Sequence, residues 1–313
     1  MSTLLPEETR PRLYLGYALY LAATVLFAVN GSVVKAILQS GVSATSLSEV
    51  RATGAFVILL AVVAISRPRA LRVRRSEWKF LLAYGVIGVS MTQYLYFVAL
   101  ERMAIGIALV IEFTAPIFVV LWVRFGRRQP VRSSVWVGLI LALSGLTLMA
   151  QIWQGLSLDL LGVAAAFGAA LALALFYVIG EHQRRGDSPR DALSLTMWGM
   201  GGAALFWAVV QPWWNFPWSS YTGQSAPLGG VGPTFPISSL TLWMIILGTV
   251  VPFTMAIASL AHITAAQAST IGITEPLIAS LVAWVALGEV LTPLQIAGGI
   301  TVLVGVYIAE RSR

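Results

Sequence analysis

Two glutamates in the middle of long apolar segments are the residues whose type and setting point most directly to chemistry. Glu112 lies eight residues into one segment and Glu275 eleven residues into another, or roughly 12 and 16 Å deep at about 1.5 Å per helical residue. A charge at the centre of a membrane helix costs about 2.5–3.5 kcal/mol unless it faces a cavity or a partner. We therefore expect each carboxylate either to bind a substrate ammonium group or a coupling proton, or to make a structural hydrogen bond between helices.

A proline lies close to each glutamate, in Glu112-Phe-Thr-Ala-Pro116 and in Glu275-Pro276. Because proline lacks a backbone N–H and clashes with the preceding turn, Pro116 and Pro276 are each expected to kink their helix. The carbonyl groups freed there would form a polar patch beside the carboxylate. Such a patch is tolerated at membrane depth only where protein or water surrounds it, so the pattern predicts a substrate cavity.

Three further polar side chains are weaker candidates for the lining of this cavity. Asn30 and Gln93 could hydrogen-bond a ligand, although amide side chains also hold membrane helices together. Tyr94 and Tyr96 point to different faces of one helix, so at most one of them should line the cavity, and Tyr94 is the candidate.

Three charged residues are expected toward the outer ends of the first two apolar segments. Lys35, Glu49 and Arg51 would be used most simply in a surface ion-pair cluster or in snorkelling to the interface. Arg51 has a second interpretation, in which it binds a substrate carboxylate.

The elements that position these side chains must be membrane helices. The 313 residues are 58% hydrophobic and 11% charged, with a mean hydropathy of +0.83. A membrane helix needs roughly 20 apolar residues, and ten segments satisfy this: 14–37, 45–66, 79–100, 104–124, 132–151, 159–182, 191–211, 239–261, 264–287 and 292–310. The predicted fold is therefore an all-α integral membrane protein with ten transmembrane helices.

The same five-helix unit occurs twice in the sequence. Residues that recur 160 positions later are Pro116 as Pro276, Gly138 as Gly298 and Gly145 as Gly305. A repeat with an odd number of spans must be inverted relative to its copy, which is typical of carriers with a site near the bilayer midplane. We predict a tail at 1–13, a first repeat at 14–151, and a second repeat at 159–310 that includes a loop at 212–238.

Symmetry and small residues refine this picture. The shift of 160 maps Glu112 onto Gly272 and Glu275 onto Ala115, so the two glutamates are expected to differ in role. The recurring glycines of the fifth and tenth spans favour close helix contact there.

The basic residues predict the orientation. In the ten-span arrangement 17 of the 20 lysine and arginine residues fall on one side, which the positive-inside rule assigns to the cytoplasm together with both termini. The loop at 212–238 has no charged residue, five prolines and several aromatic residues. It is expected to lie outside, either as an interfacial belt or as a lid over the permeation path.

Other classes of protein fit less well. The absence of cysteine and the presence of two histidines exclude thiolate sites and disfavour a metal centre, so no metal or cofactor is expected. No HExxH, GxSxG or P-loop motif indicates an enzyme or an ATP-driven pump. The basic residues form short juxtamembrane loops without a nucleic-acid-binding motif. A passive channel would need a continuous pore or selectivity ring, whereas isolated buried charges favour a carrier.

The sequence resembles the drug/metabolite transporter superfamily, and within it the EamA-type members with two five-helix repeats. The resemblance runs from about Tyr14 to Ala309 and rests on Arg51, Ala115-Pro116, Glu275-Pro276 and Leu287-Gly288-Glu289. The stretch Ile105-Gly106-Ile107-Ala108 with Ile111 to Pro116 is similar, less specifically, to the threonine and homoserine exporter branch. Arg127-Arg128-Gln129 stands where Leu-Gly-Glu is common, so no role is transferred to Gln129.

The resemblance implies a bacterial inner-membrane carrier whose cavity is formed by both repeats and which often exports amino acids or related metabolites. The resulting hypothesis is alternating access around a cavity that holds Glu112 and Glu275, with Asn30, Gln93 and Tyr94 in its lining. Its partners would be a small-molecule substrate, the lipid bilayer and, as one form of energy coupling, protons. The alternatives are a drug or other-metabolite carrier of the same fold, a channel, or a membrane enzyme. The substrate, direction of transport and oligomeric state stay open.

Overall fold

Helices make up nearly all the regular structure of this protein. A computed structural model describes residues 12–75, 77–103, 105–154, 159–185, 189–211, 213–227, 233–287 and 291–311. Within these ranges the only pairing of extended backbone is an isolated bridge between Gln224 and Pro236. The tail at 1–11, Pro212, residues 228–232 and the Gly288-Glu289 pair lie outside the described residues. The all-α prediction is confirmed for the rest.

Nine described helices are long and apolar enough to cross a membrane. They are α1 (Leu13–Gln39), α2 (Ala44–Ser66), α3 (Trp78–Arg102), α4 (Gly106–Gly126), α5 (Ser133–Ala150), α6 (Leu160–Arg185), α7 (Ala192–Val210), α8 (Ile237–Ser259) and α10 (Pro293–Arg311). Between the last two lies α9, formed by Ala265–Gly272 and Glu275–Leu287. Short 3₁₀ turns lie at Pro68–Leu71, Ile152–Gln154, Trp213–Asn215 and Trp218–Tyr221.

The ninth predicted span, 264–287, is present as the two halves of α9. Its first helix begins with a capping box. The Thr264 hydroxyl accepts from the Gln267 backbone N–H, and the Gln267 side-chain oxygen accepts from the Thr264 backbone N–H. It stops at Gly272 and resumes at Glu275. Because each half is short, neither alone has the length of a membrane helix.

The helix break in α9 has a counterpart in α4. There the first α-helical part ends at Glu112 and the next begins at Ala115, with Pro116 in its first turn. Pro276 likewise stands in the first turn after the break in α9. A proline at this position costs no hydrogen bond, because the first N–H groups of a helix have no intrahelical acceptor. Each break thus comes just before its proline and directly beside a glutamate.

A second irregularity also recurs between the two halves. The backbone makes π-helical turns at Tyr84–Met91 in α3 and at Ile246–Val250 in α8. The centres of these turns contain Gly88 and Gly248, which the shift of 160 relates. Such turns widen the helix, disturb its hydrogen-bond ladder and are frequent at functional sites.

The contacts between helices are the same when the two halves of the chain are exchanged. Helix α2 packs against its equivalent α7 and α5 against its equivalent α10, while the contact of α1 with α8 is matched by that of α6 with α3. This is the pattern expected when a two-fold rotation exchanges the repeats.

Glycines at the contact of α5 with α10 show how these two helices are oriented relative to each other. A Cβ atom built on Gly138 would lie 2.7 Å from the Gly305 oxygen, and one on Gly305 would lie 2.7 Å from the Gly138 oxygen. Gly145 and Gly298 are related in the same way, also at 2.7 Å. The pairs 138–305 and 145–298 run in opposite directions along the chain, so the two helices are antiparallel. The inverted repeat and the predicted role of these glycines in close packing are both confirmed.

The two ends of the bundle differ in chemistry. At the arginine-rich end, which carries Arg67, Arg127 and Arg190, ion pairs join Arg67 to Asp191, Arg127 to Glu181 at 2.9 Å, and Arg190 to Glu77 at 2.7 Å. The opposite end, here called the loop end, carries the aromatic cover, residues 213–227. In that cover the rings of Trp213, Phe216, Trp218 and Tyr221 pack on one another at centroid distances of 4.6–5.8 Å.

Candidate functional site

A central cavity of about 130 Å³ lies among α1, α2, α3, α4, α6, α8 and α9. Both helix breaks and the π-helical turn of α3 border it, and α8 contributes residues just after its own π-helical turn. Its polar lining consists of Tyr20, Asn30, Arg51, Thr92, Gln93, Tyr96, Glu112, Tyr177 and Glu275. Aromatic side chains, among them Phe27, Phe176 and Phe253, form the remaining wall together with aliphatic residues and glycines. Irregular backbone at mid-membrane depth therefore surrounds a cavity, as the physics of an apolar solvent requires.

Five of the six predicted binding residues line this cavity, namely Asn30, Arg51, Gln93, Glu112 and Glu275. The sixth, Tyr94, lies elsewhere: its ring packs edge-on against Trp207 with the centroids 4.9 Å apart. The neighbouring tyrosine on the other face of α3, Tyr96, lines the cavity instead. The placement of Tyr94 in the lining is wrong, because two tyrosines two residues apart point to different faces of a helix and the sequence does not say which face is inside.

The two glutamates share this cavity but differ in setting. Glu112 is buried, with 8% of the residue exposed, and stands at the last turn before the break in α4. Glu275 is only half-buried and opens the second part of α9. The two carboxyl groups lie within electrostatic range of each other, and Glu275 is also within range of Arg51. The cavity thus contains two acids and one base.

Arg51 is the buried cation of the site. Its Nε donates to the Thr249 hydroxyl at 2.7 Å and its Nη2 donates to the Gly248 carbonyl at 3.1 Å. Both acceptors come from the π-helical turn of α8. Its guanidinium carbon lies 5.8 Å from the ring centroid of Phe253, a distance suited to a cation–π contact. The turn therefore supplies polar partners that make an arginine tolerable in the interior.

The predicted surface ion-pair cluster at the outer ends of α1 and α2 is wrong. Arg51 points into the cavity, and Glu49 is fully buried without an ion pair among the described residues. Lys35 lies apart from both, in the wall of a second cavity. The polar turn in α8, which no short sequence motif marks, is what draws Arg51 inward.

That second cavity, of about 330 Å³, is a vestibule on the loop-end side of the first. It is bordered by residues near the loop-end termini of α1, α4, α5 and α10, including Lys35, Gly106, Ala150 and Gln295. Glu275 and Tyr96 line both cavities. Glu275 therefore stands at the junction between the central cavity and its vestibule.

On the opposite side, toward the arginine-rich end, tyrosines close the central cavity. The hydroxyl groups of Tyr20 and Tyr177 hydrogen-bond to each other. A Cβ atom built on Gly272 would lie 3.1 Å from the Tyr177 hydroxyl oxygen. Beyond them the Tyr17 hydroxyl donates to Glu310 at 2.8 Å and accepts from Gln267 at 2.8 Å. The sequence reasoning missed these residues, although Tyr17 and Tyr177 are related by the same shift of 160 that relates the repeats.

The arrangement suits binding better than bond chemistry. A fixed guanidinium and two carboxyl groups face one cavity with aromatic walls, so a small molecule with a positive and a negative group has partners for both. In the part of the chain that is described, no group of three or more His, Asp or Glu side chains is placed to hold a metal ion.

Comparisons with known proteins agree with this architecture. The sequence model of the EamA-like transporter family matches residues 14–151 and again residues 160–310. The threonine/homoserine exporter RhtA of Escherichia coli strain K12 is 29% identical over 238 residues, which cover 76% of this chain and 72% of that protein. The uncharacterized transporter YwfM of Bacillus subtilis strain 168 is 25% identical over 301 residues, 93% of each chain.

A solved structure has a similar fold. It superposes with a TM-score of 0.74 over 95% of this chain and 96% of its own, at 14% sequence identity. At such a low sequence identity, the match is evidence for the fold alone. The resemblance found in the sequence, including the weaker one to the threonine and homoserine exporters, is confirmed. Because the family model matches each half of the chain in turn, this multi-pass membrane protein belongs to the EamA-like transporter family.

Proposed function

We propose that this transporter is a secondary carrier that exports amino acids or related small metabolites across the bacterial inner membrane by alternating access. The observation that carries the proposal is the central cavity, where Arg51 faces Glu112 and Glu275 between two inverted repeats. Inverted repeats around a midplane site are the usual construction of such carriers. The relative RhtA of Escherichia coli is by its name an exporter of two amino acids.

The charges of the cavity support a zwitterionic substrate. The guanidinium of Arg51 would bind the carboxylate, since arginine presents a planar fork of donors that matches a carboxylate. Glu112 and Glu275 would bind the ammonium group from the other side. The two acids lie within electrostatic range of each other, so a cation between them relieves their mutual repulsion.

The openings of the cavity support alternating access. The vestibule leads from Glu275 toward the loop end, and the Tyr20–Tyr177 pair closes the path toward the arginine-rich end. By the positive-inside rule the arginine-rich end is cytoplasmic, with both termini inside, so this conformation is open to the outside. Rocking of the repeats would break the tyrosine pair and open the cavity to the cytoplasm.

Counterflow in proteoliposomes tests the proposal. Liposomes loaded with one unlabelled amino acid should transiently accumulate the same labelled amino acid from outside. Glu112→Gln and Glu275→Gln should each lower this flux by about 10- to 100-fold, since a hydrogen bond to a charged group contributes about 1.5–3 kcal/mol. We also expect each variant to change the dependence of the flux on pH.

A matched pair of tyrosines provides the control. Tyr96→Phe removes a hydroxyl from the cavity, whereas Tyr94→Phe removes one that lies outside it. Only the first should change the apparent KM. Unchanged flux and pH dependence in both glutamine variants, with normal expression, would show that the cavity is not the transport site.

The aromatic walls favour a second candidate, a carrier of apolar organic cations with the same fold. Phe253 contacts Phe27 and Phe176 edge-on at centroid distances of 5.2 and 5.6 Å. Aromatic faces together with carboxylates bind organic cations well. Counterflow of an aromatic amine without counterflow of any amino acid would favour this candidate.

A further inference from the structure

Glu49 is a buried acid that the proposed transport site does not use. It stands in the second turn of α2, is 0% exposed, and has no hydrogen-bond partner for either carboxylate oxygen among the described residues. The hydroxyl groups of Ser48 and Thr53 on the same helix also lack partners. Buried polar groups without partners are rare in native proteins, and each asks for an explanation.

The aromatic cover lies over this end of α2. Tyr221 donates a hydrogen bond to the hydroxyl of Ser46, one turn before Glu49, at 3.3 Å. The Ala226 N–H donates to Ser40 at 2.7 Å, and Phe216, within the cover, is only 6% exposed. Burial is the main cause that raises the pKa of Tyr221 to about 12. The hydrogen bond to Ser46 opposes this shift, and the nearby Glu49 carboxylate adds to it. Tyr221 and Glu49 therefore lie close enough to interact electrostatically.

In the described part of the chain, no ion pair or hydrogen bond compensates the carboxylate of Glu49. Helices α7 and α8, which pack against α2, carry no ionisable side chain. Of the cations nearest in sequence or at this end of the bundle, Arg51 bonds to α8, Arg102 pairs with Asp159, and Lys35 lies in the wall of the vestibule. The ionisable groups on the remaining elements packed against α2 are Tyr94, Tyr96, Glu101 and Arg102 near the loop end of α3, and Arg69 at the arginine-rich end.

We propose that Glu49 is a proton-binding site on the extracytoplasmic side, and that the aromatic cover closes over it only when the proton is bound. The inference rests on the orientation given under the proposed function. An ionised carboxylate sealed in an apolar site without donors is very costly, whereas a neutral carboxylic acid costs far less. Opening of the cover lets water reach the ionised group. One proton, taken from the outer solution by the carboxylate, therefore accompanies closing, and acid outside favours the closed cover.

The absence of cysteine makes this closing measurable. Ser46→Cys places a single thiol beneath Tyr221, and Ser238→Cys places one at an exposed position beside the cover. Intact cells are labelled from outside with a membrane-impermeant maleimide. The ratio of the first labelling rate to the second cancels the general effect of pH on thiol reactivity. It should fall as the outer pH is lowered from 8 to 6, by at most about tenfold per pH unit for a single proton.

Two variants assign the effect to Glu49. Glu49→Gln imitates the protonated acid, so the ratio should be low and constant within about twofold over the same pH range. Glu101→Gln is the matched control: this acid also lies at the loop end, where it accepts from the Ala44 N–H at 3.3 Å. It should keep the pH dependence of the unsubstituted chain.

Three results would overturn the inference. They are a ratio that does not change with pH, the same pH dependence in Glu49→Gln, and failure of Glu49→Gln to fold, since the closed state is argued to hold the neutral acid. The orientation is tested separately by Ser238→Cys. If that exposed thiol is not labelled from outside, the proposed orientation fails, and the labelling is repeated on inside-out vesicles.

Discussion

Replacing Gly305 by alanine tests the seam between α5 and α10, on which the two-fold arrangement of the repeats depends. The new Cβ atom would lie 2.4 Å from the Ala142 nitrogen and 2.7 Å from the Gly138 oxygen. Ordinary carbon contacts begin near 3.5 Å, so the two helices would have to separate by about 1 Å. Both close atoms belong to the backbone and cannot turn away as a side chain would.

The expected cost follows from this geometry. Overpacking by one methyl group typically costs about 1–3 kcal/mol, and a backbone collision places Gly305→Ala at about 3 kcal/mol. Gly31→Ala is the control, because a Cβ atom there meets nothing within 4 Å. In a helix interior that substitution should stabilise by roughly 0.5–1 kcal/mol. The difference between the variants is thus about 3–4 kcal/mol in the free energy of unfolding.

Denaturation in mixed detergent micelles, followed by circular dichroism, measures this difference. The double variant Gly138→Ala with Gly305→Ala should cost less than the sum of the single changes, because both glycines serve one contact and one separation relieves both. If Gly305→Ala is as stable as Gly31→Ala, the backbones do not approach closely, and the argument for the inverted repeat from these glycines fails.

Two further predictions concern the charged groups. Arg51→Lys keeps the charge but loses the planar fork, so the apparent KM for a transported amino acid should rise by about tenfold or more while that for its decarboxylated amine stays unchanged. Equal changes for both substrates would refute a carboxylate site. Burial acts to raise the pKa of Glu77, but bonds from the Arg74 N–H and the Arg190 guanidinium hold it below its ordinary value. The stabilising effect of Glu77 is therefore present above the pKa that this group has in the unfolded chain, and it is lost as the pH falls through the folded pKa. Glu77→Gln should therefore flatten the acid side of a plot of melting temperature against pH. An unchanged acid side would contradict this.

Sequence reasoning reached the fold because a bilayer leaves few choices. Apolar segments of sufficient length must be helices, and an odd number of them in each repeat must invert the second copy. It also found Glu112 and Glu275, since an acid at membrane depth beside a proline is conspicuous. It failed for Tyr94 and Tyr96, where the answer depends on which face of α3 looks inward.

By itself the sequence determined the helical membrane fold, its duplication and the two central acids, because these follow from hydropathy, spacing and the cost of charge in hydrocarbon. Tertiary structure alone decided the partners of the polar groups. A π-helical turn in α8 brings Gly248 and Thr249 to Arg51 and draws it into the cavity, while Glu49 is buried near the aromatic cover without a hydrogen-bond donor among the described residues. Arg51 and Glu49 lie two positions apart on α2. Their surroundings nevertheless come from segments about 170 to 200 residues away, which local spacing cannot reveal.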